Sequence, residues 1–426
     1  MSNNSPRSPT ATEPLRLLWL KTGPLHPLDT GGKIRTYHML RALRREHHIT
    51  FLALCPPTTS EEVKHRASEY SHRQLWIPWR ETPRASVAFA LELLANLLFS
   101  RRPYVIEKYR SGPMAAAIRQ ITATGEHDLV VCDFLTPAVN LFADNTRPRR
   151  AALLFQHNVE SRIWRRLFEN ATGLRRAYFR LQWQRLERFE RDTCARFDAV
   201  VGVSEEDCDV FRREFGLRNV LGAVPTGVDC EFFQPPDAPR RPRSLVFLGS
   251  MDWMPNIEAV MFFVAEVWPS LRRQFPDATF TVVGRNPPPA VRALETSLPG
   301  VRVTGTVPDV RPWLAEAAVM VVPLRVGSGT RLKIFEAMAT GIPVVSTRIG
   351  AEGLPVTDGE NILLADAPSA IAAAVAALFN EPDRAARIGM AGRQLVQTRF
   401  GWETAAGVFA DYCRVACARA ASPPRR

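Results

Sequence analysis

At 426 residues the chain is too long for one ordinary core, and its 46% apolar content is that of a globular protein, not of a disordered or membrane-spanning one. Lys and Arg number 55 against 43 Asp and Glu, a formal charge of +12, but only five of those cations are lysines. Such an arginine bias follows composition and is a weak argument for nucleic acid. The arginine-rich stretch 161–191 spaces its aromatics for helix packing and carries no RNA-binding signature, so no nucleic-acid partner is expected. An anionic substrate or peripheral contact with an anionic membrane accounts for the charge equally well. The seven cysteines form no CxxC pair, and their odd number fits a reducing compartment. No stretch reaches transmembrane length, so the expected location is cytoplasmic.

In chain order, residues 1–14 are polar and rich in Pro and Ser, reading as a disordered tail and not as a signal peptide. Residues 15–20 (LRLLWL) form a first buried strand, followed by a loop ending in Gly31-Gly32, a helix over 33–45 and a second strand over 48–55. That order is a βαβ unit whose glycine turn faces a ligand edge. A mostly apolar helix is predicted over 85–99, with Arg101-Arg102-Pro103 after it. A helix hydrophobic nearly all round is read here as a buried packing helix, the competing reading being one that lies in a membrane interface. Strands at 128–132 and 152–155 deliver Asp133 and the run Gln156-His157-Asn158 at their C-terminal ends, where parallel sheets bind ligands. Strands at 199–203 and 220–224 complete this domain, bounded at 15–233. The proline-rich stretch 234–243 (QPPDAPRRPR) reads as a linker.

The α/β pattern then restarts over 244–403, and a last helix over 404–421 is expected to pack back on the first domain. The centre of the second domain is 319–345, VMVVPLRVGSGTRLKIFEAMATGIPVV: strand, glycine loop, helix, strand. Gly327, Gly329 and Thr330 allow close backbone approach at a helix start, and Arg331 and Lys333 beside it suit a phosphorylated ligand. Cations at a helix N-terminus oppose the dipole, which argues for a compensating anion. Asp133 and Glu160 receive no role. Cys413 and Cys417, four apart on one helix face without His nearby, read as packing residues, and no metal site is expected.

The segments VVGVSEEDCDVF, VPTGVDCEFFQP, FLGSMDWMPNIEAV, FTVVGRNP, GTVPDVRPWLAEA, VPLRVGSGTRLKIFEAMATGIPVVST and DGENILLAD follow in order the pattern of group 1 (family 4) retaining glycosyltransferases. GGKIRTYHML and FQHNVESRIW extend the resemblance into the first domain, and the branch it most resembles serves bacterial exopolysaccharide synthesis. The resemblance implies the GT-B fold: α/β, two facing Rossmann-like domains with parallel sheets and an interdomain cleft. It implies sugar transfer from a nucleoside diphosphate donor to a hydroxyl acceptor, saccharide or lipid-linked, with no cofactor beyond the donor substrate and no metal. Carried onto matching positions, Glu336 accepts from the ribose hydroxyls. Arg331 and Lys333, with the N–H groups of Gly329 and Thr330, neutralise the leaving diphosphate. Arg285 lines the base or phosphate pocket, and His157 positions a hydroxyl of the donor sugar. Gly31 and Gly32 contact phosphate or acceptor, with Lys33 and Asn158 on the acceptor side. Ser328 stands where the family commonly has a glutamate, and Gly249–Trp253 lacks the family's usual Arg and Lys. Competing readings are an epimerase or hydrolase on the same architecture, which needs a carboxylate pair, and a noncatalytic sugar-nucleotide binder.

Overall fold

The computed structural model describes residues 13–83, 86–143, 148, 150–169, 171–224, 226–326 and 332–421. Two units separate: Met1–Pro225 together with Glu403–Arg426, and Thr226–Trp402.

The first unit is built on a seven-stranded parallel sheet in the order β3-β2-β1-β4-β5-β6-β7. Its strands are β1 (Arg16–Lys21), β2 (His48–Cys55), β3 (Arg73–Pro78), β4 (Leu129–Asp133), β5 (Ala151–Phe155), β6 (Ala199–Gly202) and β7 (Val220–Ala223). The inner strands are continuous apolar runs because helices cover both faces, so alternation is lost and nearly every side chain is buried. Helix α1 (Gly31–Leu43) starts at Thr30, whose hydroxyl accepts from the Lys33 N–H at 3.4 Å. Helices α2 (Val87–Phe99), α3 (Glu160–Glu169), α4 (Gly173–Cys194) and α5 (Glu205–Arg213) follow, the last capped by Ser204, which accepts from Asp207 N.

Helix α2 corrects an expectation. Its only buried residue is Asn96, whereas Val87, Leu91, Leu94, Leu98 and Phe99 are exposed. Apolar periodicity fixes which residues share a face but not what lies opposite that face, and here no element among the described residues of this unit covers it.

The second unit carries a six-stranded parallel sheet in the order β10-β9-β8-β11-β12-β13. Its strands are β8 (Arg241–Leu248), β9 (Thr279–Val283), β10 (Val301–Gly305), β11 (Ala317–Val322), β12 (Val344–Ser346) and β13 (Leu363–Leu364). Helix α6 (Met254–Phe262) follows β8, and α7 (Leu332–Ala339) follows β11. The chain divides before Thr226, earlier than the predicted end at 233, because Val228 and Phe233 are buried in the second unit's core. The supposed linker belongs to this unit as well. Arg240 donates to the Ala317 and Thr340 carbonyls at 3.1 and 2.6 Å, and Arg241–Arg243 opens β8. A last helix, α8 (Trp402–Ala421), belongs from Glu403 onward to the first unit, where the buried Phe409 ring meets Trp19 and Phe155.

Both sheets therefore reverse direction of strand order at one place, between β1 and β4 and between β8 and β11. In doubly wound sheets, ligands bind beyond the strand C-termini at such a switch point.

Candidate functional site

At the first switch point β1 ends in Lys21 and β4 in Asp133, both buried. Asp133 Oδ2 receives three donors: Lys21 Nζ at 2.7 Å, the Thr36 hydroxyl at 2.7 Å and Trp19 Nε1 at 3.0 Å. Lys21 Nζ also donates to Thr36 Oγ1 at 2.9 Å, which ties α1 to the strand ends. Burial alone would raise the Asp133 pKa, but the charges of Lys21 and His157 overcome it and hold the carboxyl well below the usual range. Burial lowers the Lys21 pKa against the pull of Asp133.

His157, two residues past β5, brings Nε2 to 2.8 Å from Asp133 Oδ1, an approach whose angle falls short of a hydrogen bond. Its ring stacks on Phe134, centroids 3.9 Å apart, and Lys21 Nζ lies 4.4 Å from the centroid of the same Phe134 ring. Phe134 takes a left-handed backbone (φ 71°), a conformation costing a non-glycine residue about 1–2 kcal/mol. Its N–H donates to Phe155 O at 2.9 Å, so the strand end and the ring stack hold it there. Gly32 fits against this arrangement because a Cβ would come within 2.8 Å of Phe134 Cζ, and within 3.9 Å of His157 Nδ1. Burial pushes the His157 pKa down to about 4 despite the attraction of Asp133. Near neutral pH the imidazole is therefore uncharged, with Nδ1 on the Gly32 side.

Three groups at this edge were not read from the sequence. Arg35, one turn after Gly32, is buried, its Nη2 meets no hydrogen-bond partner among the described residues, and burial lowers its pKa to about 10 against the fields of Asp133 and Asp207. Its signal was an arginine on the buried face of α1. Lys21 reads from the sequence as the first residue of the loop after an apolar strand, and the structure makes it the last residue of β1. Glu190, fully buried on α4, accepts from Gln156 Nε2 at 3.0 Å, Glu160 N at 2.8 Å and Ser161 N at 3.0 Å. It thus braces the strand end bearing His157 and the start of α3. Burial raises Glu190 to about 8 and Glu160 to about 7. Nothing in the sequence pattern marks Glu190, because its partners are a side-chain amide and two backbone N–H groups about thirty residues away.

At the second switch point the ends of β8 and β9 interlock. Gly284 is required there, since a Cβ would stand 1.8 Å from Gly249 O. Asn256, at the start of α6, donates to Ser250 O at 2.8 Å and accepts from Lys333 Nζ at 2.8 Å. Lys333, on the first turn of α7, lies 4.6 Å from the Phe247 ring centroid, so its ammonium is held over the end of β8. Arg285 Nε donates to Asp252 at 2.9 Å and Ser250 Oγ at 3.1 Å, keeping its guanidinium on the same loop. Glu336 follows Lys333 by one helical turn. It is half-buried and densely surrounded, and burial raises its pKa to about 7 against the pull of Lys333. Among the described residues no hydrogen-bond donor reaches its carboxylate.

The predicted residues thus fall into two groups. Gly31, Gly32, Lys33, His157 and Asn158 lie at the C-terminal edge of the first sheet, although Lys33 Nζ is held by Asp29 at 2.9 Å and by Pro27 O at 3.2 Å. Arg285, Lys333 and Glu336 lie at the C-terminal edge of the second. Ser328, Gly329, Thr330 and Arg331 lie outside the described residues. Among the described residues no three His, Cys, Asp or Glu side chains converge as metal ligands.

Two family models match the chain in succession: Glycosyltransferase Family 4 over residues 30–232 and Glycosyl transferases group 1 over residues 242–381. The chain belongs to the group 1, family 4 glycosyltransferases. Its fold is GT-B. HepE from Anabaena, solved in complex with UDP and glucose, superposes with a TM-score of 0.62 over 93% of this chain and 98% of that one, at 15% identity. The GDP-mannose-dependent alpha-(1-6)-phosphatidylinositol monomannoside mannosyltransferase of Mycolicibacterium smegmatis is 31% identical over 229 residues, 49% of this chain. That match spans only 59% of the relative's length. A 44.6 kDa protein of the cps region of Klebsiella pneumoniae is 20% identical over 82% of this chain and 87% of its own.

Proposed function

We propose that this chain is a retaining glycosyltransferase that moves a sugar from a nucleoside diphosphate sugar to a hydroxyl of a lipid-linked acceptor in cell-surface polysaccharide synthesis. The observation that carries the reading is Glu336: a recessed carboxylate without a donor among the described residues, one turn past Lys333 at the switch point of the second sheet. A half-buried carboxylate that no described donor reaches leaves both oxygens open to accept from paired ribose hydroxyls. Lys333, with Arg331 and the N–H groups of Gly329 and Thr330, stabilises the departing diphosphate. Arg285, held on Ser250 and Asp252 at the same sheet edge, serves the base or phosphate side.

The acceptor hydroxyl attacks the anomeric carbon on the face that the diphosphate leaves. The C–O bond to phosphate breaks, the new glycosidic bond forms, and the leaving phosphate oxygen takes the acceptor proton. No protein nucleophile and no metal is needed for that exchange. His157, uncharged at neutral pH, accepts from a sugar hydroxyl through Nδ1 and serves positioning. Lys33, Asn158 and the Gly31-Gly32 turn serve the acceptor side. The lipid-linked acceptor draws support from the phosphatidylinositol-modifying relative, and the polysaccharide role from the cps-region relative. UDP in the HepE complex and GDP-mannose in the mycobacterial relative make both nucleotides the first donors to try.

Isothermal titration of UDP and GDP into the wild type and Glu336→Ala tests the reading. One of the two nucleotides should bind, and the variant should bind it roughly 10- to 100-fold more weakly, the worth of paired hydrogen bonds to a charged group. Unaltered affinity removes Glu336 from the ribose site.

A further inference from the structure

Helix α2 exposes an apolar stripe. Val87, Leu91, Leu94 and Leu98 follow one another at i, i+4, i+7 and i+11, the spacing of a single helix face, and Phe99 closes it at 84% exposure. The opposite face is fastened to the domain by polar contacts. Asn96 Nδ2 donates to Arg102 O at 3.1 Å, its Oδ1 accepts from Gln182 Nε2 at 3.2 Å, and Arg185 donates to the Asn96 and Leu97 carbonyls at 3.0 Å each. The helix is therefore locked in an orientation that turns its leucines outward, against the hydrophobic gradient that would bury them.

A cavity of about 780 Å³ opens beside the end of this helix, lined by Arg80, Phe99, Arg101, Arg102, Lys108 and Arg110 among others. Three carboxylates also line it: Glu81 pairs with Lys108 at 2.7 Å and Glu107 with Arg102 and Arg110 at 3.5 Å each, while the Glu92 carboxylate accepts from Thr82 and Tyr104. Among the described residues no carboxylate pairs with Arg80 or Arg101, so positive charge is in excess. Arg80 follows β3, which puts the cavity at the same C-terminal sheet edge as Gly32 and His157.

We infer that helix α2 and the arginines of this cavity dock the first unit on an anionic phospholipid surface, the leucine stripe entering the acyl boundary and Arg80, Arg101 and Arg102 meeting headgroup phosphates. The inference deepens the lipid-linked acceptor reading by naming the surface that meets the lipid. An apolar stripe rimmed by arginines matches the two layers of such an interface, apolar below and anionic above. A second copy of this chain matches only half of it, since a two-fold contact through the stripe brings like-charged arginine clusters together.

The test is co-sedimentation of the full chain with vesicles of phosphatidylcholine alone or mixed with phosphatidylglycerol. Wild type should bind the mixed vesicles roughly tenfold or more tightly than the neutral ones. Leu94→Glu/Leu98→Glu and Arg101→Glu/Arg102→Glu should each lose roughly tenfold or more of that binding. Both variants alter exposed or half-exposed side chains, so unchanged thermal melts and unchanged nucleotide affinity show that the fold and the second unit are intact. Absent vesicle binding, equal binding to both vesicle types, or variants that bind like wild type overturns the inference. So does a concentration-dependent dimer that the leucine variant abolishes, since a second copy then covers the face. Vesicle binding by a chain that takes up no nucleotide sinks the transferase reading and leaves the docking surface standing.

Discussion

Ionisable groups are buried at the edge of the first sheet in two chemically opposite ways. Asp133, which accepts from Lys21, Thr36 and Trp19, keeps its charge because the fields of Lys21 and His157 outweigh its burial. Glu190 has backbone and amide donors but no cation, and burial raises it to about 8. With a folded value above the ordinary 4.5, folded Glu190 retains a proton between about pH 4.5 and 8 that the unfolded chain has released. Its contribution to stability therefore falls as pH rises through that window. Glu190→Gln removes the ionisation, so the first unit of the variant should gain stability relative to wild type as pH rises from 5 to 8, by a part of the limiting ~1.4 kcal/mol per unit. Denaturant melts of both proteins across that range measure it, and parallel curves would show Glu190 to be ordinary. His157 runs the other way: its folded value of about 4 lies below the usual 6.5, so its contribution is lost as pH falls between those values. Of these residues the sequence marked His157, because a polar run ended an apolar strand. Lys21 and Glu190 were hidden because their meaning lies in partners 112 and 30 residues away.

Between residue and domain, the working unit is a stack of elements: the start of α1, the left-handed Phe134 after β4, and His157 after β5. The Phe134 ring has His157 on one side and Lys21 close by, so it has little room to yield. Gly32→Ala should accordingly cost about 1–3 kcal/mol by overpacking and shift the His157 ring. A crystal structure of the variant with its melting temperature checks both, and an undisturbed stack with wild-type stability would mean that α1 moves instead. The glycines themselves were legible as a turn before a helix. The close approach that requires the second of them was not, because Phe134 gives no sign in the sequence of its backbone conformation. Helix α2 was misread for a related reason. Its hydrophobicity was plain, but the polar anchors that turn the stripe outward come from Gln182 and Arg185 on another helix.

Across the whole molecule, the second sheet repeats the order of the first six strands of the first sheet, and each time the predicted ligand residues that are described lie at the C-terminal edge of the strands. The strands were readable one by one as apolar runs between glycine and proline breaks, apart from the two-residue β13, which is too short to show a pattern. What no local pattern gave was where the first unit ends, since Val228 and Phe233 belong to the second core although they precede the proline-rich stretch. The first unit is discontinuous, closed by α8, and Phe409 is the fully buried ring by which that helix joins Trp19 and Phe155. Phe409→Ala should cost the first unit about 3–5 kcal/mol, the range for emptying a buried aromatic site. Amide hydrogen exchange locates the loss: protection should drop in β1, β4 and β5, which depend on that packing, while β8 and β11 keep theirs because their core lies wholly between Val228 and Phe400. An equal drop in both sheets would mean that the two units open as one cooperative body, and the return of α8 would then stabilise the whole chain, not the first sheet alone.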